Sequence, residues 1–422
     1  MSTCNKIADS LFSYETPKIV QIKNRFVGIV SRIIQLVIIG YIIGYVIVYK
    51  KGYQEFCDVE GSITTKVKGV TYTNFSKNAF KEEISHPEWY KRIWDVADFV
   101  VPPSENGATF IATNLIITQN QTQETCPEDP SITEALCYKD NNSCVAGNAV
   151  TAGNGVMTGN CVESRIKGTY TCEIQAWCPT EVDVKPLKNN TAVLEASEDF
   201  TVLIKNFVDF PKFENAKRRN IKDTSNSSYL KTCLYDPVEY PDCPIFRLGD
   251  IVKWSGQENY NDVAFKGGVI AVVIKWDCNL DFDKKYCFPK YEFNRLDDPE
   301  AKLAPGWNFR YANYFSDDRR TLYKLFGIRL AITVVGQAGQ FRIIPLLQNV
   351  GAGLGLLALV VVICDVIVLY LVKKRTFFKS KKFEEVDPEN DPANSPEIST
   401  IKIPGEIPVR RDIGDGYQRL ED

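Results

Sequence analysis

The chain has 422 residues, 44% of them hydrophobic, a formal net charge of −3 and a single histidine, His86. This balance argues against binding nucleic acid or another polyanion through bulk charge. A mechanism that needs histidine as a base or as paired metal ligands must use His86 or be dropped. Ten of the thirteen cysteines lie between Cys126 and Cys287, which indicates an oxidising compartment.

The first long apolar run predicts a membrane helix near the N-terminus. The run extends from about Ile33 to Tyr49, with Arg32 before it and Lys50 and Lys51 after it. The preceding residues are mixed and charged, unlike a cleaved signal peptide. We predict a cytosolic N-terminus over 1–28 and a transmembrane helix over 29–50.

A second apolar run, from Asn349 to Val372, contains one charged side chain, Asp365, and is long enough to cross a bilayer as a helix. Small residues in its first third would let helices approach closely. An acidic side chain at this depth in the membrane needs polar neighbours. Basic residues follow the run, so the positive-inside rule places its C-terminal end in the cytosol. We predict a transmembrane helix over 346–372 and a cytosolic tail over 373–422 that is acidic, proline-rich and largely disordered.

The intervening segment, 51–345, is predicted to be an extracellular domain. Sequons for N-glycosylation occur only there, at Asn74, Asn120, Asn141, Asn189 and Asn226. Alternating and β-branched runs predict an antiparallel β-sandwich. A polar, glycine-rich stretch with six cysteines, 126–178, predicts a small disulfide-held subdomain. The predicted strands are Ser62–Thr73, Thr109–Thr118, Phe200–Lys205, Gly268–Trp276 and Gly327–Val335.

Signatures of enzymes and of metal sites are scarce. The sequence has no phosphate-binding G-x-x-x-x-G-K-[ST] loop, and the glycine run at Gly351–Gly355 lies in a predicted span, which disfavours a dinucleotide site. His86 with neighbouring glutamates (Glu82, Glu83, Glu88) could hold a metal ion, although a solvated loop explains the same residues. A cysteine zinc site needs reduced thiols, which an oxidising compartment disfavours. We predict neither an enzyme nor a metal site.

Basic residues in the extracellular segment are more informative. Lys66 and Lys68 alternate along a predicted strand, so both side chains leave the same face. Asn308 and Arg310 follow Gly306 on another strand-like run, and Lys324 precedes Phe326. Cations that converge from different strands would suit a polyphosphate, because lysine and arginine make charge-assisted bonds to phosphate oxygens. Periodicity alone favours a solvated basic face over a binding site.

Several strings in the chain resemble the ionotropic purinergic receptors, which are ATP-gated cation channels. The similarity covers about residues 12 to 382, including both spans and ten extracellular cysteines. It implies a plasma-membrane homotrimer, with related subunits as further partners. It also implies two membrane helices per subunit, both termini in the cytosol, and extracellular ATP, alone or with magnesium, at the subunit interfaces. The strings are Thr64–Gly69, Arg92–Asp98, Cys243–Gly249, Trp276–Asn279, Gly306–Ala312 and Gly327–Arg329.

The resemblance also assigns individual residues. Thr201 and Leu203, with Leu230 as a further candidate, would contact adenine, and Lys66, Lys68, Asn308, Arg310 and Lys324 would bind the phosphates. Six cysteines allow many connectivities, so the pairs in the subdomain come from the resemblance alone, whereas the last two pairs close short loops. Cytosolic motifs match at Thr16-x-Lys18 and at Tyr370–Lys374. The implied disulfides are Cys126–Cys178, Cys137–Cys161, Cys144–Cys172, Cys233–Cys243 and Cys278–Cys287.

The second span would line a pore for sodium, potassium and calcium. Its pore-facing residues would be Asn349, Ala352, Gly355, Leu356 and Leu359, with the narrowest closed point around Ala352 to Leu356. Asp365 is expected in subunit contacts. The alternative is that the glycines serve helix packing only. Near the outer membrane surface Glu55, Asp58 and Glu60 could concentrate cations.

Three features depart from the family pattern. Residues 80–91 look like an insertion, Cys57 is an extracellular cysteine without a family partner, and the tail beyond Phe383 matches nothing. The Cys57 thiol could stay free, face lipid or cross-link subunits. Two rival classes share the topology: an ectoenzyme acting on nucleotides, and a cysteine-rich sodium channel of the acid-sensing and epithelial kind, whose motifs are not found.

Overall fold

The computed structural model describes residues 25–138, 143–214, 216–222, 228–257, 259–372 and 375–382. Predicted sites at Thr16, Lys18, Asn141, Asn226 and Lys374, and most of the predicted tail, lie outside these residues. The chain divides into two compact units, one at Gly52–Leu346 and one that combines Met1–Lys51 with Leu347–Asp422.

The described residues form fourteen strands and seven α-helices. The strands are β1 Gln54–Asp58, β2 Glu60–Lys68, β3 Thr71–Thr73, β4 Arg92–Trp94, β5 Ala108–Pro127, β6 Gly155–Glu163, β7 Tyr170–Cys178, β8 Thr201–Asp209, β9 Arg218–Arg219, β10 Ile245–Arg247, β11 Gly268–Asn279, β12 Lys290–Arg295, β13 Asn308–Ser316 and β14 Arg319–Phe341. The helices are α1 Arg25–Gly40, α2 Val96–Phe99, α3 Tyr229–Thr232, α4 Leu248–Trp254, α5 Tyr260–Lys266, α6 Ile343–Val366 and α7 Arg375–Lys382. The two longest helices continue as π-helix over Tyr41–Tyr49 and Ile367–Leu371.

Two helical segments have the length and composition of membrane spans. They are Arg25–Tyr49, with 25 residues and a mean hydropathy of 2.2, and Ile343–Leu371, with 29 residues and a mean hydropathy of 2.9. Both overlap the predicted spans and begin a few residues earlier. The first packs on the second at Gly353, where an added Cβ would lie 2.8 Å from Ile42 Cδ1. This glycine therefore permits a close helix–helix approach.

Eight strands form the larger sheet of the extracellular unit, in the order β12-β11-β14-β5-β7-β6, with β1 and β13 also paired to β14. The predicted sandwich was antiparallel, and one pair differs: β11 runs parallel to β14 from Gly268 opposite Ile328 to Asn279 opposite Gly339. A parallel pair requires a long crossover, which the chain between Asn279 and Arg319 supplies. The almost continuous apolar run of β11 suits a strand buried on both faces.

The smaller sheet has the order β10-β8-β2, with β9 added to β8. A shared apolar core includes Val202 and Ile204 of β8 together with Ile274 and Trp276 of β11. The Trp276 Nε1–H donates to Asn206 Oδ1 of β8 at 2.7 Å, so a buried polar bond also joins the two sheets. This arrangement holds the outward face of β2 and β8 on a rigid base.

The cysteine-rich stretch forms a separate small core, as predicted for 126–178. Buried Ala135, Met157 and Ile174 pack there with disulfide cysteines. A group of three cysteine sulfurs in this core is explained by disulfides rather than by a metal. The structure contains the five pairs that the resemblance implies, Cys126–Cys178, Cys137–Cys161, Cys144–Cys172, Cys233–Cys243 and Cys278–Cys287.

The two departures that fall on described residues are both well anchored. In the 80–91 segment, Phe80 and Tyr90 are buried with ring centroids 5.7 Å apart, so the segment is not simply a solvated loop. Between these two rings Glu82, Glu83, Ser85, His86 and Glu88 are exposed, and Lys91 at the end of the segment is exposed as well. Cys57 is a buried free thiol in β1 opposite Ala338, which places it in the core rather than against lipid.

Candidate functional site

The first cluster of predicted site residues lies on β2 and β8. Lys66 is the cross-strand partner of Leu203, and Lys68 is the partner of Thr201. Both lysines are exposed, whereas Val67 between them is buried. Within the described part of the chain, neither lysine side chain makes a hydrogen bond or an ion pair. The cluster therefore presents two unneutralised ammonium groups beside a hydroxyl and an apolar side chain.

Close packing fixes the end of this cluster. Gly69 follows Lys68, and a Cβ at Gly69 would lie 2.3 Å from the ring of Phe200. Phe200 is buried and directly precedes Thr201. The absence of a side chain at Gly69 thus brings the ends of β2 and β8 together and sets the position of Lys68 opposite Thr201.

The second cluster lies on the β13–β14 hairpin, where Arg310 is paired with Lys324 and Asn308 with Phe326. Here both cations are neutralised by carboxylates. Arg310 donates to Glu181 from Nη2 at 2.7 Å and from Nε at 3.1 Å. Lys324 Nζ donates to the two oxygens of Asp183 at 2.5 and 2.6 Å. The Glu181 and Lys324 side chains are 4% and 10% exposed. The Asp183 side chain is 50% exposed, so solvent reaches its carboxylate.

A third cation, Lys185, belongs to this cluster and was not predicted. Its Nζ lies 4.2 Å from the ring centroid of Phe326, and Lys324 Nζ lies 5.4 Å from the same ring. Burial lowers the pKa of the Lys185 ammonium, and the charge of Lys324 lowers it further. Glu181, Asp183 and Lys185 were not predicted from the sequence. Their charged side chains occur at every second position, and this spacing was the one feature of the sequence that could have indicated them.

The two clusters are not joined within one chain. No hydrogen bond or ion pair between described residues connects the Lys66–Lys68 cluster with the Arg310–Lys324 cluster. They also lie on different sheets. Leu230 is half-buried in the short helix α3, in neither cluster. Within one chain the two clusters are therefore separate sets of contacts.

In the second apolar helix, the predicted pore residues lie on a face that the first helix leaves uncovered. Ala352, Gly355, Leu356 and Leu359 are exposed in the single chain, whereas Gly353 and Val360 are buried. An added Cβ would meet nothing within 4 Å at Gly351 or Gly355. Gly353 thus packs against the first helix, whereas Gly351 and Gly355 leave one face of the second helix open. Asn349 lies on the same helix, and Asp365 is half-buried near its end.

Other predicted residues lie outside these clusters. The sequon asparagines Asn74, Asn120 and Asn189 are exposed. His86 Nδ1 lies 2.8 Å from Glu88 Oε1, and Glu82 and Glu83 do not join them in a group of three potential metal ligands among the described residues. Tyr370 is exposed at the end of the second span.

Comparison with known proteins gives one consistent family. The family model described as ATP P2X receptor matches residues 12–385. P2X purinoceptor 4 of Bos taurus is 48% identical over 391 residues, covering 91% of this chain and 96% of the relative. P2X purinoceptor 5 of Homo sapiens is 42% identical and covers 91% and 84%.

Solved structures agree. A P2X receptor from the Gulf Coast tick, crystallised in the presence of ATP and Zn²⁺, is 52% identical with a TM-score of 0.76 and covers 80% of this chain and all of that one (100%). The chicken ATP-gated P2X7 receptor with the competitive antagonist TNP-ATP is 39% identical with a TM-score of 0.70, covering 81% and 99%. The predicted combination of two apolar helices and a β-rich, disulfide-bonded domain is confirmed. The chain is a two-span membrane protein that belongs to the P2X receptor family.

Proposed function

We propose that three copies of this chain form an ATP-gated, non-selective cation channel in the plasma membrane, with both termini in the cytosol. Extracellular ATP, alone or as its magnesium complex, binds at the subunit interfaces and opens a pore that passes sodium, potassium and calcium. The chain requires no cofactor for this function and is not an enzyme.

The observation that carries the proposal is the pair of cationic clusters on separate sheets. Lys66 and Lys68 are exposed and unneutralised, and Arg310 and Lys324 are held by carboxylates that a stronger anion can replace. A triphosphate offers many oxygens to such groups, and charge-assisted bonds to phosphate are strong. Thr201 and Leu203, beside the lysines, supply a hydroxyl and an apolar contact for the base.

Exchange of partners links binding to gating. Asp183 neutralises Lys324, and ATP phosphate would take its place. Ligand can shift the gate only through different affinities for the closed and open states. Strand β14 extends without a break from Lys324 to Phe341, and the chain enters the second apolar helix at Ile343. A change at Lys324 therefore has a stiff covalent path towards the pore.

The pore would be lined by the uncovered face of that helix. Ala352, Gly355 and Leu359 lie about one turn apart, and the bare faces at Gly351 and Gly355 leave room along this side. The closed gate is assigned to Ala352 through Leu356, with Asn349 above it. Asp365 is assigned to subunit contacts, where it gains polar neighbours.

The test is ATP application under voltage clamp to cells that express this chain alone. We expect a graded inward current. Lys68→Ala should raise the ATP concentration needed by roughly ten- to a hundred-fold, because a bond to a charged group contributes about 1.5–3 kcal/mol. Lys379→Ala, a matched change in helix α7, should not. ATP hydrolysis without current would favour the ectoenzyme, and current evoked by protons instead of ATP would favour the sodium channel class.

A further inference from the structure

A cavity of about 270 Å³ lies between the 80–91 segment, strand β5 and the base of the disulfide-held subdomain. Its volume is close to the lower end of the range of about 300–1,000 Å³ for small-molecule pockets. We propose that this cavity binds a small aromatic cation of the arylalkylammonium type, and that its occupant changes the affinity for ATP. Only the effect on ATP rests on the proposed function.

The apolar wall suits an aromatic ring and is formed before any ligand arrives. Tyr90 and Ile117 are buried, and the Ile117 N–H donates to the Tyr90 hydroxyl at 3.1 Å. The segment is also tied down by the Lys81 N–H, which donates to Pro186 O at 2.9 Å. Since little side-chain freedom is left to lose, binding costs less ordering entropy. The apolar lining residues are Ile84, Trp89, Tyr90, Ile116, Ile117 and Val182.

The charged lining selects a cation. Glu83, Glu128, Asp129 and Arg165 line the cavity, so three carboxyl side chains there stand against one guanidinium. Burial by itself would raise the pKa of Asp129, but bonds from Arg165 and Ser131 outweigh it and keep the pKa below the usual value. This carboxylate therefore stays ionised at neutral pH.

Glu128 and Trp89 also contribute to this lining. The buried Glu128 carboxylate accepts bonds from Asn154 N at 2.7 Å and Asn154 Nδ2 at 2.5 Å, which hold it in position in the wall. The indole of Trp89, stacked on His86 at 4.3 Å, offers an aromatic surface that attracts ammonium groups. An anionic ligand would meet repulsion from these same carboxylates.

The cavity shares its walls with the second cationic cluster. Val182 lines the cavity and lies between Glu181 and Asp183, the two carboxylates that hold Arg310 and Lys324. Ile116 of β5, which also lines the cavity, is the register partner of Lys324. An occupant that shifts the segment around Val182 must therefore alter how well Asp183 competes with phosphate for Lys324.

Binding can be measured by titration calorimetry on the purified full-length protein without ATP, with phenethylammonium as the probe. We expect saturable binding, with 2-phenylethanol at least about threefold weaker and 3-phenylpropionate weakest. Ile84→Trp fills the cavity and should abolish binding, whereas Val238→Trp, at an exposed site elsewhere, should not. Glu83→Gln should weaken binding about two- to fivefold, as for a solvent-exposed charge. Glu82→Gln, next to it but outside the cavity, should have no effect.

The proposal is overturned by absence of saturable binding, by equal binding of the alcohol or the acid, or by binding that survives Ile84→Trp. Because Glu83 is exposed, Glu83→Gln is expected to fold, so binding can still be tested with this variant if Ile84→Trp fails to fold. The effect on ATP is read from ATP binding to the same protein, which avoids confusion with block of the pore. Saturating phenethylammonium should shift ATP affinity at least threefold in the parent protein and not in Ile84→Trp. An unshifted affinity overturns the modulation, whereas a protein that binds the amine but never ATP contradicts the proposed function.

Discussion

Asp183→Asn should make the protein more sensitive to ATP. The Asp183 carboxylate holds Lys324 Nζ at 2.5 and 2.6 Å and would have to leave before phosphate could bind that lysine. The amide is close in size to the carboxylate but carries no charge. The amide therefore competes less with phosphate for Lys324. It also leaves the Lys324 ammonium, which is 10% exposed, without a neutralising carboxylate. The direction is opposite to that expected for removing any cation of the site.

The magnitude follows from the exposure of the pair. A bond between charged groups contributes about 1.5–3 kcal/mol when buried, but solvent screens a half-exposed carboxylate, which reduces this to about 1 kcal/mol. That corresponds to roughly a fivefold lower ATP concentration at half-maximal current. Asp242→Asn is the matched control, because Asp242 pairs with Lys222 at 3.2 Å outside the site. An unchanged curve for Asp183→Asn, or an equal shift in both variants, would refute the exchange of partners.

Two further predictions concern the gate and the acid stability of the extracellular unit. Ala352→Cys, in a Cys364→Ser background, should react faster with an extracellular thiol reagent when ATP is present. Leu354→Cys, on another face of the helix, should react at the same rate with and without ATP. Equal rates at position 352 in the two states would argue against a gate there. Burial would raise the pKa of Asp297, but bonds from Arg295 and the Val269 N–H lower it below its usual value. The pair therefore stabilises the fold above the ordinary aspartate pKa of about 4 and loses that contribution as pH falls through the lower, folded-state pKa. Asp297→Asn should lower the free energy of unfolding by about 1–3 kcal/mol at neutral pH. The difference in melting temperature between this variant and the parent protein should shrink in acid, and a difference that persists below the folded-state pKa would contradict this.

Local patterns were sufficient to predict the apolar helices and the main strands. The alternation of Lys66 and Lys68 placed both on one face, and the structure has both exposed with Val67 buried between them. Thr201 and Leu203 opposite them came only from the family resemblance, because register between distant strands is not encoded in either strand alone.

Other features depend on contacts between parts of the chain far apart in sequence. Glu181 pairs with Arg310 across 129 positions, and the alternation around Glu181 does not indicate which distant cation it pairs with. The parallel pairing of β11 with β14 depends on where the long crossover returns, which strand periodicity does not show. The anchoring of the 80–91 segment likewise depends on Tyr90, whose buried ring packs against Phe80 and whose hydroxyl bonds β5.

The most direct test of a shared ATP site uses three linked copies of the chain, with Lys68→Ala in one copy and Lys324→Ala in another, in both cyclic orders. If each site takes Lys68 from one subunit and Lys324 from the next, one order places both changes in the same interface and leaves two sites intact. The other order damages two interfaces and leaves one. We expect the two orders to differ clearly in ATP concentration–response under voltage clamp at equal surface expression. Identical responses in the two orders would mean that the clusters act within one chain, and absence of ATP-evoked current from the unaltered linked protein would contradict the proposed function itself.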